Sequence, residues 1–219
     1  MKVPMNRTTR RLRRFALAAV SMMAVAGCQS LLVGNGETPP RYTLSPVPGT
    51  VAAQTQLAAR LVIADPVAEA AFETSRIARS PEPLRYEYFA NAEWSDRAPN
   101  LFRIFLVRSF ENNGRIQAVG DRVTLPIGDF ILDTDIRSFH VEMQDGQNIA
   151  RVAYFARLSD RRNNSIASRL FEVNEPVNGS ALPSAVEALN SAVNRVGNET
   201  VVWAISEIEQ NMQAADVES

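Results

Sequence analysis

Three sets of residues in this 219-residue chain are of types that do chemistry elsewhere. Cys28 is the sole cysteine, His140 the sole histidine, and Asp129, Asp133 and Asp135 share strand parity, so their carboxylates can project from one face. A lone histidine can act as a base or a metal ligand. With no second histidine and no free thiolate beside it, His140 reads as an ordinary sheet histidine, and no zinc site is expected. Three acids on one face could bind calcium or flank a glycosidic bond. Their spread along a strand matches no calcium-loop spacing, so a solvated strand face is the reading adopted. The chain has no glycine-rich phosphate loop, no G-x-S-x-G elbow and no dinucleotide fingerprint. Lys2 is its only lysine, which excludes a lysine-dependent enzyme once the first residues are removed. No catalytic residue, metal or cofactor is expected.

Cys28 differs from the others because of what precedes it. Lys2, Arg7, Arg10, Arg11, Arg13 and Arg14 form a basic stretch without an acid, followed by the uncharged run Phe15–Gly27. Thirteen residues cover roughly 20 Å as a helix, too little for a hydrocarbon core of about 30 Å. A basic region, a short apolar region and small residues at its end are the parts of a signal peptide. Val25-Ala26-Gly27-Cys28 resembles the bacterial lipobox, which implies a diacylglycerol on the Cys28 sulfur, cleavage before it, and acylation of the freed amine, with palmitate among the expected chains. Several acyl chains hold a protein stably where one would not. The alternative is a simple signal peptide with a chance cysteine. The arginine pairs leave general and twin-arginine export both open. Gln29 and Ser30, neither an aspartate, resemble the sorting signal for the periplasmic face of the outer membrane more than that for inner-membrane retention.

The net charge of −1 hides an asymmetry. Residues 1–27 carry +6, leaving 17 arginines against 24 acidic groups, or −7. A mildly acidic body argues against nucleic acid as a partner. The length fits one domain with an appended segment: residues 1–27 as signal peptide, 28–40 as lipidated N-terminus and tether, 41–210 as the domain, and 211–219 as a frayed tail. The tether holds two glycines and two prolines without a periodic apolar face. Extended, a dozen residues reach about 40 Å.

The element pattern predicts an α+β fold, a largely antiparallel mixed sheet of about six or seven strands with two main helices packed on it. Arg41–Val47 and Arg60–Val67 read as strands bounded by proline, and Val67–Ser75 as a short helix or an irregular crossover. Arg76–Arg79 and Leu84–Ala90 read as a strand pair, with Leu84, Tyr86 and Tyr88 on one face. Arg97–Gly114 reads as a helix, opened near Pro99 and stopped at Asn112-Asn113-Gly114. Ile104 and Val107 fall in its polar arc, so either a second helix, the preferred cover, or another protein should lie over them. Arg115–Gly120 reads as a strand. Along Asp129–Met143, Phe130, Leu132 and Ile136 have one parity and Phe139, Val141 and Met143 the other, which predicts a bulge near Ser138. Ile149–Asp160 and Ala167–Val177 complete a meander. Ser184 to Glu187 has capping-box spacing, and Val186, Leu189, Val193, Val196, Thr200, Ala204 and Ile208 recur at helical intervals to about Gln210.

In this order, "RYTL" soon after a lipobox, "RYEYF" with Tyr86 and Tyr88, Trp94 ahead of the first helix, "DFILDTDIRSFHVE", "ARVAYFARLSD" and "RLFEVNEPV" before the last helix resemble the ABC-type transport auxiliary lipoproteins, paraquat-inducible lipoprotein included, over about Arg41–Gln210. The resemblance implies a role without a reaction: a non-enzymatic periplasmic accessory of an ABC transporter whose partner is an MCE-domain periplasmic protein. Such systems move lipids or other hydrophobic molecules between the two membranes. Only Cys28, as the lipid attachment, is carried over. Trp94 reads as a core aromatic before it reads as a partner contact. A lipid-binding shuttle acting alone is the alternative, a periplasmic hydrolase a remoter one, and self-association is left open.

Overall fold

The computed structural model describes residues 38–49 and 55–217. The expected signal peptide, Cys28 and most of the expected tether therefore lie outside the described residues. Element order is β1 (Arg41–Tyr42), β2 (Leu57–Ile63), β3 (Val67–Ala68), β4 (Arg76–Glu82), β5 (Arg85–Trp94), α1 (Ala98–Asn113), β6 (Ile116–Asp121), β7 (Phe130–Gln144), β8 (Gln147–Asp160), β9 (Ser165–Pro176) and α2 (Leu182–Val217). The architecture is α+β, with one mixed sheet of nine strands rather than six or seven. The excess comes partly from β1 and β3, two-residue strands too short to show alternation.

β7 is the spine. One edge pairs antiparallel with β8 from Phe130↔Asp160 to Gln144↔Gln147, and β8 pairs antiparallel with β9. The other edge forks. Residues 130–132 pair parallel with β2, which pairs with β6; residues 140–142 pair parallel with β4, which leads through β5 to β1. The three antiparallel ladders hold most of the pairing, although five ladders are parallel.

Local sequence explains most of these elements. Asp145 (φ 50°) and Gly146 (φ 78°) make the two-residue hairpin turn whose twist suits paired strands. The β7–β8 register slips between Ile136 and Ser138, leaving Arg137 as the extra residue, the bulge expected from the change of parity. As a result Phe130, Leu132, Ile136, Phe139 and Val141 all enter one core. On β8, Ala150, Val152, Tyr154, Ala156 and Leu158 are fully buried, as the alternation predicts. α1 has Pro99 in its first turn and ends on Gly114 (φ 72°), whose N–H donates to the Phe110 carbonyl.

Four readings are corrected by the structure, and one that was left open is decided. Only Arg41–Tyr42 of Arg41–Val47 is strand, because the backbone beyond bonds to helix side chains. Arg60–Val67 divides at Asp65-Pro66, where proline lacks the ladder donor. Val67–Ser75 is an irregular crossover after β3, with Phe72 and Glu73 N–H groups both donating to the Glu69 carbonyl. Leu84 sits at φ 67° in the β4–β5 turn, fully exposed, not on the face of Tyr86 and Tyr88. α2 starts at Leu182, so Ser184 lies inside it and caps nothing; it runs past Gln210 to Val217, with Met212 still packed on the core.

α1 and α2 cover one sheet face. A row of rings crosses that interface: Trp94–Phe139 (5.0 Å), Phe102–Phe139 (5.1 Å), Phe102–Tyr154 (5.9 Å), Tyr154–Phe171 (5.8 Å) and Phe171–Trp203 (5.4 Å). Trp94, 1% exposed, is a core residue. Gly197 lets the helices approach: a Cβ there would lie 2.4 Å from the Phe105 ring.

Candidate anchoring and docking surfaces

The chain arriving from the N-terminus joins the sheet at β1. Arg41 and Tyr42 lie opposite Glu93 and Trp94; the Glu93 N–H donates to the Pro40 carbonyl and the Ser95 N–H to that of Tyr42. Residues 43–49 then form a strap across both helices. The side-chain carbonyl of Asn190 accepts from the Ser45 N–H (2.9 Å), and Asn194 donates to the Ser45 carbonyl (3.1 Å). On α1, Ser109 Oγ accepts from the Val47 N–H (3.1 Å), and Asn112 donates to the Val47 carbonyl (2.9 Å). Pro46 and Pro48 have no N–H to satisfy, so the strap keeps its backbone bonded without a ladder. Leu44 anchors it in the core. Sequence reasoning missed these clamps. The one available signal was the i, i+4 pair Asn190 and Asn194, two amides on one face of an apolar helix.

The residues singled out for chemistry are dispersed. Asp129 precedes β7 and binds Arg60 through Nε (3.3 Å), NH2 (3.2 Å) and the backbone N–H (3.1 Å), which holds its carboxyl below the usual range. Asp133 pairs with Arg157 (3.0 Å) and Asp135 with Arg137 (3.5 Å). Each carboxylate thus has its own arginine on a partly solvated face. Among the described residues no cluster of three His, Cys, Asp or Glu could hold a metal ion.

His140 is 4% exposed on the sheet face away from Phe139. Its ring stacks on Phe72 (5.8 Å, 9°) and meets the edge of Tyr86 (5.3 Å, 82°). Nε2 lies 3.5 Å from Glu142, which itself lies 3.7 Å from Arg151, while Nδ1 has no partner. Burial pushes the imidazole pKa down against the opposing pull of Glu142. The result is a neutral packing histidine, the ordinary reading.

α2 does not supply the cover expected for Ile104 and Val107. Those side chains stay half-buried in a groove of about 290 Å³ between α1 and β6, with Val119 beside them. Arg103, Arg108, Glu111, Asp121 and Thr124 complete its wall. Arg103 is held there by Asp121 and by Asp65 (3.3 Å). The groove combines an apolar floor with a rim of both charges, the composition of a protein contact rather than of a reaction site.

Residues 42–201 match the family model of the ABC-type transport auxiliary lipoprotein component. An uncharacterized protein of Bradyrhizobium diazoefficiens is 32% identical over 149 residues, 68% of this chain and 40% of that protein. The chain thus spans well under half the length of this curated relative. The crystal structure of a Xanthomonas campestris protein matches with a TM-score of 0.72 at 25% identity, over 78% of this chain and 98% of that one. A second crystal structure, of an uncharacterized protein, shares the fold with a TM-score of 0.60 at 15% identity, over 75% of this chain and 97% of its own.

Proposed function

Because the chain belongs to the family of ABC-type transport auxiliary lipoprotein components, we propose that it is a non-enzymatic, lipid-anchored accessory of an ABC transporter that moves lipids or other hydrophobic molecules between the inner and outer membranes. Its partner is an MCE-domain periplasmic protein, and its place is the periplasmic face of the outer membrane. Signal residues 1–27 are removed, Cys28 carries the lipid, and residues 28–40 are the tether to a domain that begins near Arg41.

The observation that carries this reading is the family match across nearly all of the folded unit, from β1 into α2. Two features support it. The strap clamps the arriving chain to both helices, so a pull on the anchor is borne by the core rather than by a loose end. The α1–β6 groove offers a protein contact. The test is crosslinking of the full chain in intact envelopes, followed by identification of the captured proteins. Recovery of a transporter permease or MCE-domain protein is expected. Recovery of neither, with lipid co-purifying in stoichiometric amount, would replace the docking role by that of a shuttle. Cys28→Ala should release the folded domain from washed membranes, and retention would refute the anchor.

A further inference from the structure

The β6–β7 loop and the β8–β9 turn adjoin at the start of β7, since Phe130 pairs directly with Asp160. Arg161 is close enough to Asp129 for its charge to act on that carboxyl. In both segments the acids are engaged by neighbouring groups. One Asp121 carboxyl oxygen accepts from the N–H groups of Val123 and Thr124 and from the Thr124 hydroxyl, while the other takes Arg103. Asp129 is occupied by Arg60. The Asp160 carboxyl accepts from the N–H groups of Arg162 and Asn164 and from the Asn164 amide.

The arginines are left outward. Arg122, Arg161 and Arg162 are exposed, and none has a carboxylate within ion-pair distance among the described residues. The same loop holds Val123 88% exposed and Ile127 69% exposed. An acidic chain has thus segregated three exposed guanidinium groups outside ion-pair distance of any described carboxylate, and two bare aliphatic side chains, into adjoining segments, each pinned by its own aspartates. Guanidinium suits phosphate, and aliphatic side chains beside it suit the boundary between headgroup and acyl chain.

We propose that these two segments are a membrane-contact surface for anionic phospholipid headgroups, laying the domain against the bilayer that holds Cys28. The inference rests on the lipid-anchored reading of Cys28. The chain length permits it. β1 sits at the level of Arg76, two positions before Ala78, which pairs with His140; that level is Ser138, seven ladder positions from Phe130 with the bulged Arg137 set aside. Seven positions are roughly 23 Å, within the roughly 40 Å that residues 29–40 can span.

The experiment uses the full mature chain in vesicles of phosphatidylethanolamine and phosphatidylglycerol, with single nitroxide labels at Val123→Cys, Ile127→Cys and, as reference, Leu84→Cys in the β4–β5 turn. The acylated sulfur of Cys28 takes no label. Labels at 123 and 127 are expected to be shielded from a water-soluble nickel chelate and open to oxygen, at least fivefold relative to 84. The shielding should fall on pure phosphatidylcholine, at high salt, and in R122S/R161S/R162S, each arginine being worth roughly fivefold in partitioning to an anionic surface. Equal accessibility at 123, 127 and 84 overturns the proposal, as does shielding indifferent to lipid charge and salt. Shielding that arises only when a transporter component is added assigns the patch to a protein and overturns it too. The salt series does not depend on the triple variant folding. The mass of the N-terminal peptide reads the anchor separately. Should Cys28 be unmodified, the anchor reading fails, and the same labels in a Cys28→Ser chain added to vesicles from solution still decide the contact.

Discussion

The phenol oxygen of Tyr154 lies 2.6 Å from Oγ1 of Thr200, joining β8 to α2 inside the core. Thr200 is also bonded to the Val196 carbonyl at 2.8 Å, and burial raises the tyrosine pKa, so the pair stays neutral. The two partners are not equivalent. Tyr154→Phe leaves Thr200 its helix carbonyl and should cost about 1 kcal/mol, whereas Thr200→Val leaves the phenol only a 3.4 Å contact with that carbonyl and should cost about 2 kcal/mol. Thermal melts of both variants and of the double variant check this. A double variant as costly as the two singles added together would deny the coupling.

Gly197→Ala should destabilise by about 1–3 kcal/mol, since its methyl would enter the buried Phe105 ring and the helices cannot part without uncovering the core. Phe105→Leu in the same chain should restore part of the loss. If the alanine variant melts with the wild type, close approach at this crossing is not what holds α1 to α2.

The strap should be separable from the core. Asn190→Ala removes the acceptor of the Ser45 N–H, and its effect should be local: faster amide exchange at Ser45 and Val47, by about fivefold to tenfold for one hydrogen bond, with no change along β7 and β8. Uniform acceleration across the sheet would show that the strap is part of the cooperative core.

His140 makes stability depend on pH. The groups facing it are Glu142 on its own strand, Arg151 on β8, Tyr86 on β5 and Phe72 on the crossover. Its folded pKa lies below the unfolded value of 6.5, so below that pH the unfolded chain binds a proton that the folded chain refuses. Its contribution is complete above 6.5 and is lost as pH falls toward the folded pKa. Denaturation midpoints between pH 7 and 5 should therefore decline in the wild type and stay flatter in His140→Phe. The carboxylates of Asp129, Asp160 and Glu87, whose pKa values are lowered from 3.8, 3.8 and 4.5, act only in a more acid window.

What was legible in the sequence follows what is encoded locally. Pro99 and Gly114 delimit α1 because one fits a first helical turn and the other a left-handed cap, properties of single residues. The buried row of β8 and the stripe of α2 repeat long enough for period to decide them. The strap has no period, since its partners are side chains more than 60 residues away. The fork of β7 is equally hidden: Leu132 opposite Ile63 and His140 opposite Ala78 are pairings between distant segments of similar composition. Ser184 misled because capping-box spacing is a statement about a helix start, and α2 had begun two residues earlier at Leu182. The outward arginines of the β6–β7 loop and β8–β9 turn were invisible for a related reason. Asp121 and Asp160 look in sequence like neutralising neighbours, and only the fold shows them bonded to the N–H groups of their own turns.

Arg137 is the bulge of β7, an extra backbone position whose side chain contributes little. It lies 3.5 Å from Asp135 and 5.0 Å over the Phe155 ring, both partly solvated contacts, so Arg137→Ala should cost under about 1 kcal/mol. Deleting the residue tests the bulge itself. It joins Ile136 directly to Ser138, whose partners Tyr154 and Ala153 are already neighbours on β8, so Ile136, Phe139 and Val141 keep the inner face by simple alternation. What is lost is the local bend and twist that a bulge gives a strand, between the segments of β7 that pair with β2 and with β4. The deletion variant should therefore still melt cooperatively, below the alanine variant by no more than about 1–3 kcal/mol. Loss of the cooperative melt would mean that β7 needs the bend to meet both β2 and β4.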